Sequence, residues 1–107
     1  MPEARAEAVI VEFDGELTIR SAGEARERLL RAFDQSRDIC ADIAPEAGPD
    51  LAFVQLIESA RRTAREAGGA FALARPATGK LVEILERGGF LGAPQDREFW
   101  LREAGSL

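Results

Sequence analysis

The chain has 107 residues, which is enough for one domain and too few for a second. Its hydrophobic content of 46% and charged content of 31% are those of an ordinary globular protein. Acids outnumber bases by 19 to 14, and the scattered bases form no basic patch, which excludes nucleic acid as a partner.

The chain opens with a pattern typical of a β-hairpin. Residues 8–13, AVIVEF, are rich in β-branched side chains and predict a strand. Asp14-Gly15 is a strong signal for a tight turn, and residues 16–19, ELTI, predict the returning strand.

A first helix is predicted directly after the hairpin. Ser21 and Glu24 have the spacing of a capping box, and the amphipathic pattern runs to about Asp34. The predicted core face of this helix contains Ala25, Leu29, Ala32 and Phe33.

The rest of the chain alternates strands and helices. The predicted elements are a strand at 38–44, a proline-containing loop at 45–49, a helix capped by Asp50 and ending at Ala67, a strand at 70–74, a helix capped by Thr78 and stopped by Gly88-Gly89, and a last amphipathic helix at 95–104. We expect the second helix to present a core stripe of Phe53, Leu56, Ile57, Ala60, Ala64 and Ala67.

This order of elements predicts an α/β domain. We expect a mixed sheet of four to five strands with an N-terminal β-hairpin, later strands that run parallel, and about four helices. No apolar run approaches the roughly 18 residues of a membrane span, and the N-terminus lacks the pattern of a signal peptide. The expectation is a cytoplasmic protein without direct membrane insertion.

Three motifs in this order resemble those of the STAS domain, the family of the bacterial anti-sigma factor antagonists. They are GELTI at 15–19, ICADIA at 39–44 and DLAFVQLIESARRTAREAGGAFALARP at 50–76. The resemblance covers about residues 8–91, so that 1–107 is a single STAS domain and 92–107 a C-terminal helical extension.

The resemblance implies a domain that works by docking to a protein partner. In the antagonists, a serine or threonine directly after the second aspartate is phosphorylated by a partner kinase, and the added charge releases that partner. Here the aspartate is Asp50 and the next residue is Leu51, which has no hydroxyl. The resemblance therefore implies a partner-binding surface on this chain, but no phosphorylation at the position that is phosphorylated in the antagonists.

Helical spacing predicts which side chains flank Leu51. It places Gln55, Glu58 and Arg62 on the same solvent-facing side of the second helix, beside the capping Asp50. Leu51 either anchors a partner there or folds inward over the Pro45–Pro49 loop. Weaker candidates for partner binding lie on the neighbouring hairpin, and these are Asp14, Glu16 and Thr18.

Two classes of partner follow from the resemblance. The first is cytoplasmic signalling, in which the domain binds a kinase-like ATPase, a sigma-regulatory complex or a chemoreceptor-associated protein. The alternative is an accessory subunit of a lipid-transporting ABC ATPase complex.

Enzymatic and metal chemistry find little support in the sequence. There is no histidine, and the one cysteine, Cys40, lies in an apolar run and has no partner for a disulfide. Asp42 and Asp50 are better explained as a strand end and a helix cap than as cation ligands. We therefore expect no catalytic residue, no metal and no cofactor. Of the adjacent Phe99 and Trp100, we expect one to pack on the domain, with partner contact as the alternative for the other.

Overall fold

The computed structural model describes residues 8–102 of the chain. In chain order its elements are β1 (Val9–Phe13), β2 (Glu16–Leu17), α1 (Ala22–Gln35), β3 (Ile39–Ile43), β4 (Gly48–Pro49), α2 (Leu51–Glu66), β5 (Phe71–Leu73), α3 (Gly79–Arg87) and α4 (Pro94–Leu101). The four helices and the alternation of strand and helix confirm the predicted α/β class. No helix within these residues has the length and apolar character needed to cross a membrane.

The main sheet has three parallel strands in the order β1-β3-β5. Its register pairs Val11 with Ala41, and Ala41 in turn with Leu73. These three side chains are buried, as are Phe13 and Ile43 at the strand ends. Because side chains alternate along a strand, one face of the sheet supplies the core against which the helices pack.

The predicted hairpin is wrong. Gly15 has the positive φ of 69° expected at the turn, but β2 does not return along β1. It pairs instead with β4, in parallel, and these two strands form a separate two-stranded sheet. The backbone N–H groups of Gly48 and Asp50 donate to the carbonyls of Gly15 and Leu17. Every strand pair in the described part of the chain is parallel, so the sheet is not mixed.

Pro49 is compatible with this pairing because of its position in the ladder. The N–H groups of its neighbours, Gly48 and Asp50, point toward β2, so that the nitrogen of Pro49 points away from β2. A proline therefore costs no ladder hydrogen bond at this edge. The loop predicted at 45–49 thus contains a short strand that anchors the approach to α2.

The buried face of helix α2 is wider than the predicted stripe. Phe53, Ile57, Ala60 and Ala64 are buried as expected, and so is Val54, which the prediction left outside the stripe. Side chains of α4 pack beside α2, as shown by the contact of Arg61 with the ring of Phe99. Since α2 has neighbours on two sides, its buried face is wider than one helical stripe, although the predicted Ala67 is exposed.

The predicted caps hold in part. Asp50 caps α2 with its side chain, and Thr78 occupies the N-cap position of α3 without a side-chain hydrogen bond. Ser21 is the N-cap residue of α1, but the capping box with Glu24 does not form. The Ser21 hydroxyl donates instead to the carbonyls of Glu16 and Thr18.

The C-terminal helix is part of the core. Trp100 is fully buried, its carbonyl accepts from the backbone N–H of Ala77, and its neighbour Phe99 is half-buried. This confirms that one of the two aromatics packs on the domain, and it removes Trp100 from the candidate surface. The predicted helix at 95–104 is observed as Pro94–Leu101, and residues 103 and 104 lie outside the described residues.

Candidate functional site

Asp50 connects two separate parts of the chain at the start of α2. One carboxylate oxygen accepts from the backbone N–H of Phe53 at 3.2 Å, which caps the helix. The other accepts from the backbone N–H of Ile19 at 3.0 Å. The predicted cap is therefore confirmed, and the same side chain also fixes the turn that leads into α1.

The apolar side chains next to this carboxylate are exposed. Leu51, the first residue of α2, is 48% exposed and Ile19 is 73% exposed. Ile19 was predicted to belong to a strand, where alternation with the buried Leu17 would have turned it inward. Strand β2 ends at Leu17, however, so that Ile19 lies in the following turn and faces solvent. No sequence pattern signalled this exposure.

Two of the predicted neighbours of Leu51 are exposed on α2 and one is not. Gln55 and Arg62 lie on the exposed side of the helix, as predicted. The carboxylate of Glu58 instead accepts from the Trp100 Nε1–H at 2.9 Å and from Arg61 at 3.1 Å. Glu58 is only partly exposed because α4, whose docking helical spacing cannot foresee, packs against that part of α2. Its side chain nevertheless lines one groove with Gln55 and Arg62.

The three residues predicted on the hairpin have different environments. Asp14 and Glu16 are exposed, and Asp14 lines a shallow groove at the end of β1. Thr18 is half-buried, and its N–H donates to the Ser21 hydroxyl while its own hydroxyl accepts from the N–H of Arg20. Thr18 therefore stabilises the turn before α1.

Asp42 and Asp50 have separate partners. Asp42 lies within β3, and its carboxylate forms an ion pair with Arg75 at 3.0 Å. Asp50 uses both carboxylate oxygens on backbone donors. Because each carboxylate is engaged by other groups, Asp42 and Asp50 do not form a shared cation site.

Four of these residues form what we call the docking surface: Ile19, Leu51, Gln55 and Arg62. Asp50 lies next to it: its carboxylate accepts from the backbone N–H of Ile19 and caps the helix that begins at Leu51. The surface combines two exposed aliphatic side chains with an amide and a guanidinium, and arginine is among the residues enriched at interfaces. It presents neither a deep cavity nor a nucleophile with an adjacent base among the described residues.

Comparison with known proteins supports the family assignment. A family model described as the STAS domain matches residues 1–101. Searches of curated proteins and of solved structures gave no significant match. STAS domains generally mediate protein interactions in signalling, and the match extends across α4, whose Trp100 is part of the core. The chain belongs to the STAS domain family.

Proposed function

We propose that this protein is a non-catalytic interaction module of bacterial cytoplasmic signalling. It binds a protein partner, namely a kinase-like ATPase, a sigma-regulatory complex or a chemoreceptor-associated protein, through the docking surface. The observation that carries the proposal is the exposure of Ile19 and Leu51 beside the Asp50 carboxylate, which accepts from the backbone N–H of Ile19 and caps the helix that begins at Leu51.

The energetics of the surface fit a docking role. Exposed aliphatic side chains gain about 25 cal/mol for each Å² of apolar area that a partner covers. Ile19 lies in a hydrogen-bonded turn and Leu51 in the first turn of a capped helix, so little backbone entropy is lost on binding. A pre-organised apolar pair beside polar groups is therefore well suited to be the centre of an interface.

The same surface has no phosphorylation switch at the position that the family uses. Leu51 occupies the first position of α2 and has no hydroxyl to accept a phosphoryl group. We propose that partner binding is constitutive or is regulated on the partner. The leucine side chain supplies apolar contact at the place where a phosphate would otherwise add charge.

The proposal is tested by affinity capture of the tagged protein from an extract of its native cells. The test compares the wild type with Leu51→Asp and with Leu30→Asp as a matched control, because Leu30 on α1 is also 48% exposed. An aspartate at the first position of a helix is favourable toward the helix dipole, so Leu51→Asp should leave the fold intact.

The identities of the captured proteins decide between the candidate classes. We expect a kinase-like or receptor-associated protein that is lost with Leu51→Asp and retained with Leu30→Asp. Capture of a lipid-transporting ABC ATPase would assign the protein to transport instead. Capture that is equally strong with both variants would show that the docking surface is not the interface.

A further inference from the structure

A second feature lies at the other end of α2, where a pocket of about 550 Å³ opens between the last turns of α2, strand β5 and helix α4. This volume is within the range of sites that hold small organic molecules. Leu51 and Arg65 are 14 residues apart on one helix, which corresponds to about 21 Å at 1.5 Å per residue. The pocket therefore lies about 21 Å from Leu51. Arg62 of the docking surface is one turn from Arg65, but none of the four residues of that surface lines the pocket. A ligand bound there would give the protein a function beyond the proposed one.

The pocket concentrates positive charge in an acidic protein. Three arginines line it, Arg61, Arg65 and Arg102, and Glu98 is the single acid among its lining residues. The chain as a whole has a formal charge of −5. A local excess of guanidinium groups against that background creates a field that attracts anions.

Two of these arginines are available to bind an anionic ligand. Arg61 is neutralised by Glu58 and Asp96 at 3.1 and 3.2 Å. Within residues 8–102, by contrast, Arg65 and Arg102 have no carboxylate partner. Arg102 donates to the Leu73 carbonyl at 2.7 Å, which holds its guanidinium beside the edge of β5. Guanidinium groups in such a position are suited to bidentate binding of phosphate or carboxylate.

The edge of β5 adds backbone donors to the same wall. Strand β5 is the last strand of its sheet, and it uses Ala70 and Ala74 in the ladder to β3. Because hydrogen-bonding direction alternates along a strand, the N–H groups of Phe71 and Leu73 point away from β3. Both residues line the pocket.

Aromatic rings provide the apolar part of the wall. Phe71 and Phe99 are half-buried, their ring centroids are 5.9 Å apart, and both line the pocket. The guanidinium of Arg61 lies 4.2 Å from the centroid of Phe99 and is held there by its two carboxylates. These contacts make a rigid wall against which a flat apolar group can pack.

We propose that this pocket binds a small aromatic oxyanion, with the charged group at Arg65 and Arg102 and the ring against Phe71 and Phe99. Within the described residues, the pocket offers two guanidiniums that no carboxylate neutralises, the N–H groups of a strand edge and an aromatic wall. A bare inorganic anion would use only the guanidiniums and the N–H groups. A neutral aromatic molecule would use only the aromatic wall.

The test uses phenyl phosphate as the probe, with inorganic phosphate and phenol as its two fragments. Binding is followed by the NMR shifts of the backbone amides of Gly69, Phe71 and Leu73. The pocket variant is Arg65→Gln with Arg102→Gln. Its matched control is Arg26→Gln with Arg87→Gln, which removes the same charge from exposed positions on α1 and α3.

We expect saturable shifts at these three amides and an affinity for phenyl phosphate at least about tenfold above that for either fragment. The pocket variant should lose about tenfold or more, since it lacks charge-assisted hydrogen bonds, while the control should match the wild type. The absence of saturable shifts at millimolar probe, equal affinity for inorganic phosphate, or equal binding by the two variants would overturn the proposal.

Discussion

At the scale of single residues, Asp50 has the largest effect on the structure of the site because it joins two segments of the chain. Its two carboxylate oxygens serve separate donors, the N–H of Phe53 within α2 and the N–H of Ile19 in the turn before α1. The first bond was predictable because an aspartate before an apolar helical run is a common cap. The second joins residues 31 positions apart, which local sequence patterns do not encode.

Replacement of Asp50 should separate these two functions. Asp50→Ala removes both bonds, and we expect it to lower the free energy of unfolding by about 1–2 kcal/mol. Asp50→Asn keeps an oxygen for the N–H of Phe53 but can turn its amide NH₂ toward the N–H of Ile19, so its loss should be smaller than that of alanine. Urea denaturation followed by circular dichroism measures both. Equal stability of all three proteins would show that the carboxylate does not connect the two segments.

At the scale of elements, the strands and helices were predictable but one pairing was not. The runs at 8–13, 38–44 and 70–74 have the β-branched or apolar composition of buried strands, and each contains an observed strand. The Asp14-Gly15 turn gave a correct local conformation and a wrong partner. Turn chemistry fixes the backbone for two residues, whereas the partner of β2 is β4, which lies 32 residues later in the chain, since Glu16 pairs with Gly48.

The connection from α2 to β5 offers a test at the same scale. Gly68 has a φ of 78°, while a Cβ on Gly69 would lie 2.0 Å from the carbonyl oxygen of Arg37. We expect Gly69→Ala to lower the free energy of unfolding by about 1–3 kcal/mol, since backbone must move. Gly23→Ala in α1 meets nothing within 4 Å and should be neutral or stabilise by about 0.5–1 kcal/mol.

Thermal unfolding compares these two glycine variants. A shift of 1 kcal/mol corresponds to about 4–8 °C for a domain near this size. Gly69→Ala should therefore unfold several degrees below the wild type, with Gly23→Ala at or above it. The reverse order would contradict the close approach of the α2–β5 connection to Arg37.

At the scale of the whole molecule, α4 determines which side of α2 is free for a partner. Its Trp100 donates to Glu58, and its Asp96 pairs with Arg61. This contact engages the carboxylate of Glu58 and leaves that residue partly buried, while Gln55 and Arg62 remain exposed. Helical periodicity correctly placed all three around one groove, but it contains no information about α4, which partly buries Glu58.

Two substitutions of Trp100 test this contribution of α4. Trp100→Ala should cost about 3–5 kcal/mol of unfolding free energy because it opens a cavity in the core. Trp100→Phe keeps most of the apolar volume but loses the hydrogen bond to Glu58, so we expect a smaller cost of about 1–3 kcal/mol. Circular dichroism in urea is the measurement, since the variants lack the only tryptophan. Wild-type stability of Trp100→Ala would contradict the burial of α4 in the core.

The most direct test of the docking surface is the affinity of the purified, captured partner, measured by calorimetry for the wild type, Ile19→Asp, Leu51→Asp and Leu30→Asp. We expect the first two variants to weaken binding by about 30-fold or more, as for hot-spot residues that contribute at least 2 kcal/mol. Leu30→Asp should bind as the wild type does, and all four proteins should remain folded. Undiminished binding by Ile19→Asp and Leu51→Asp, or weakening by Leu30→Asp instead, would place the interface on another face of the domain.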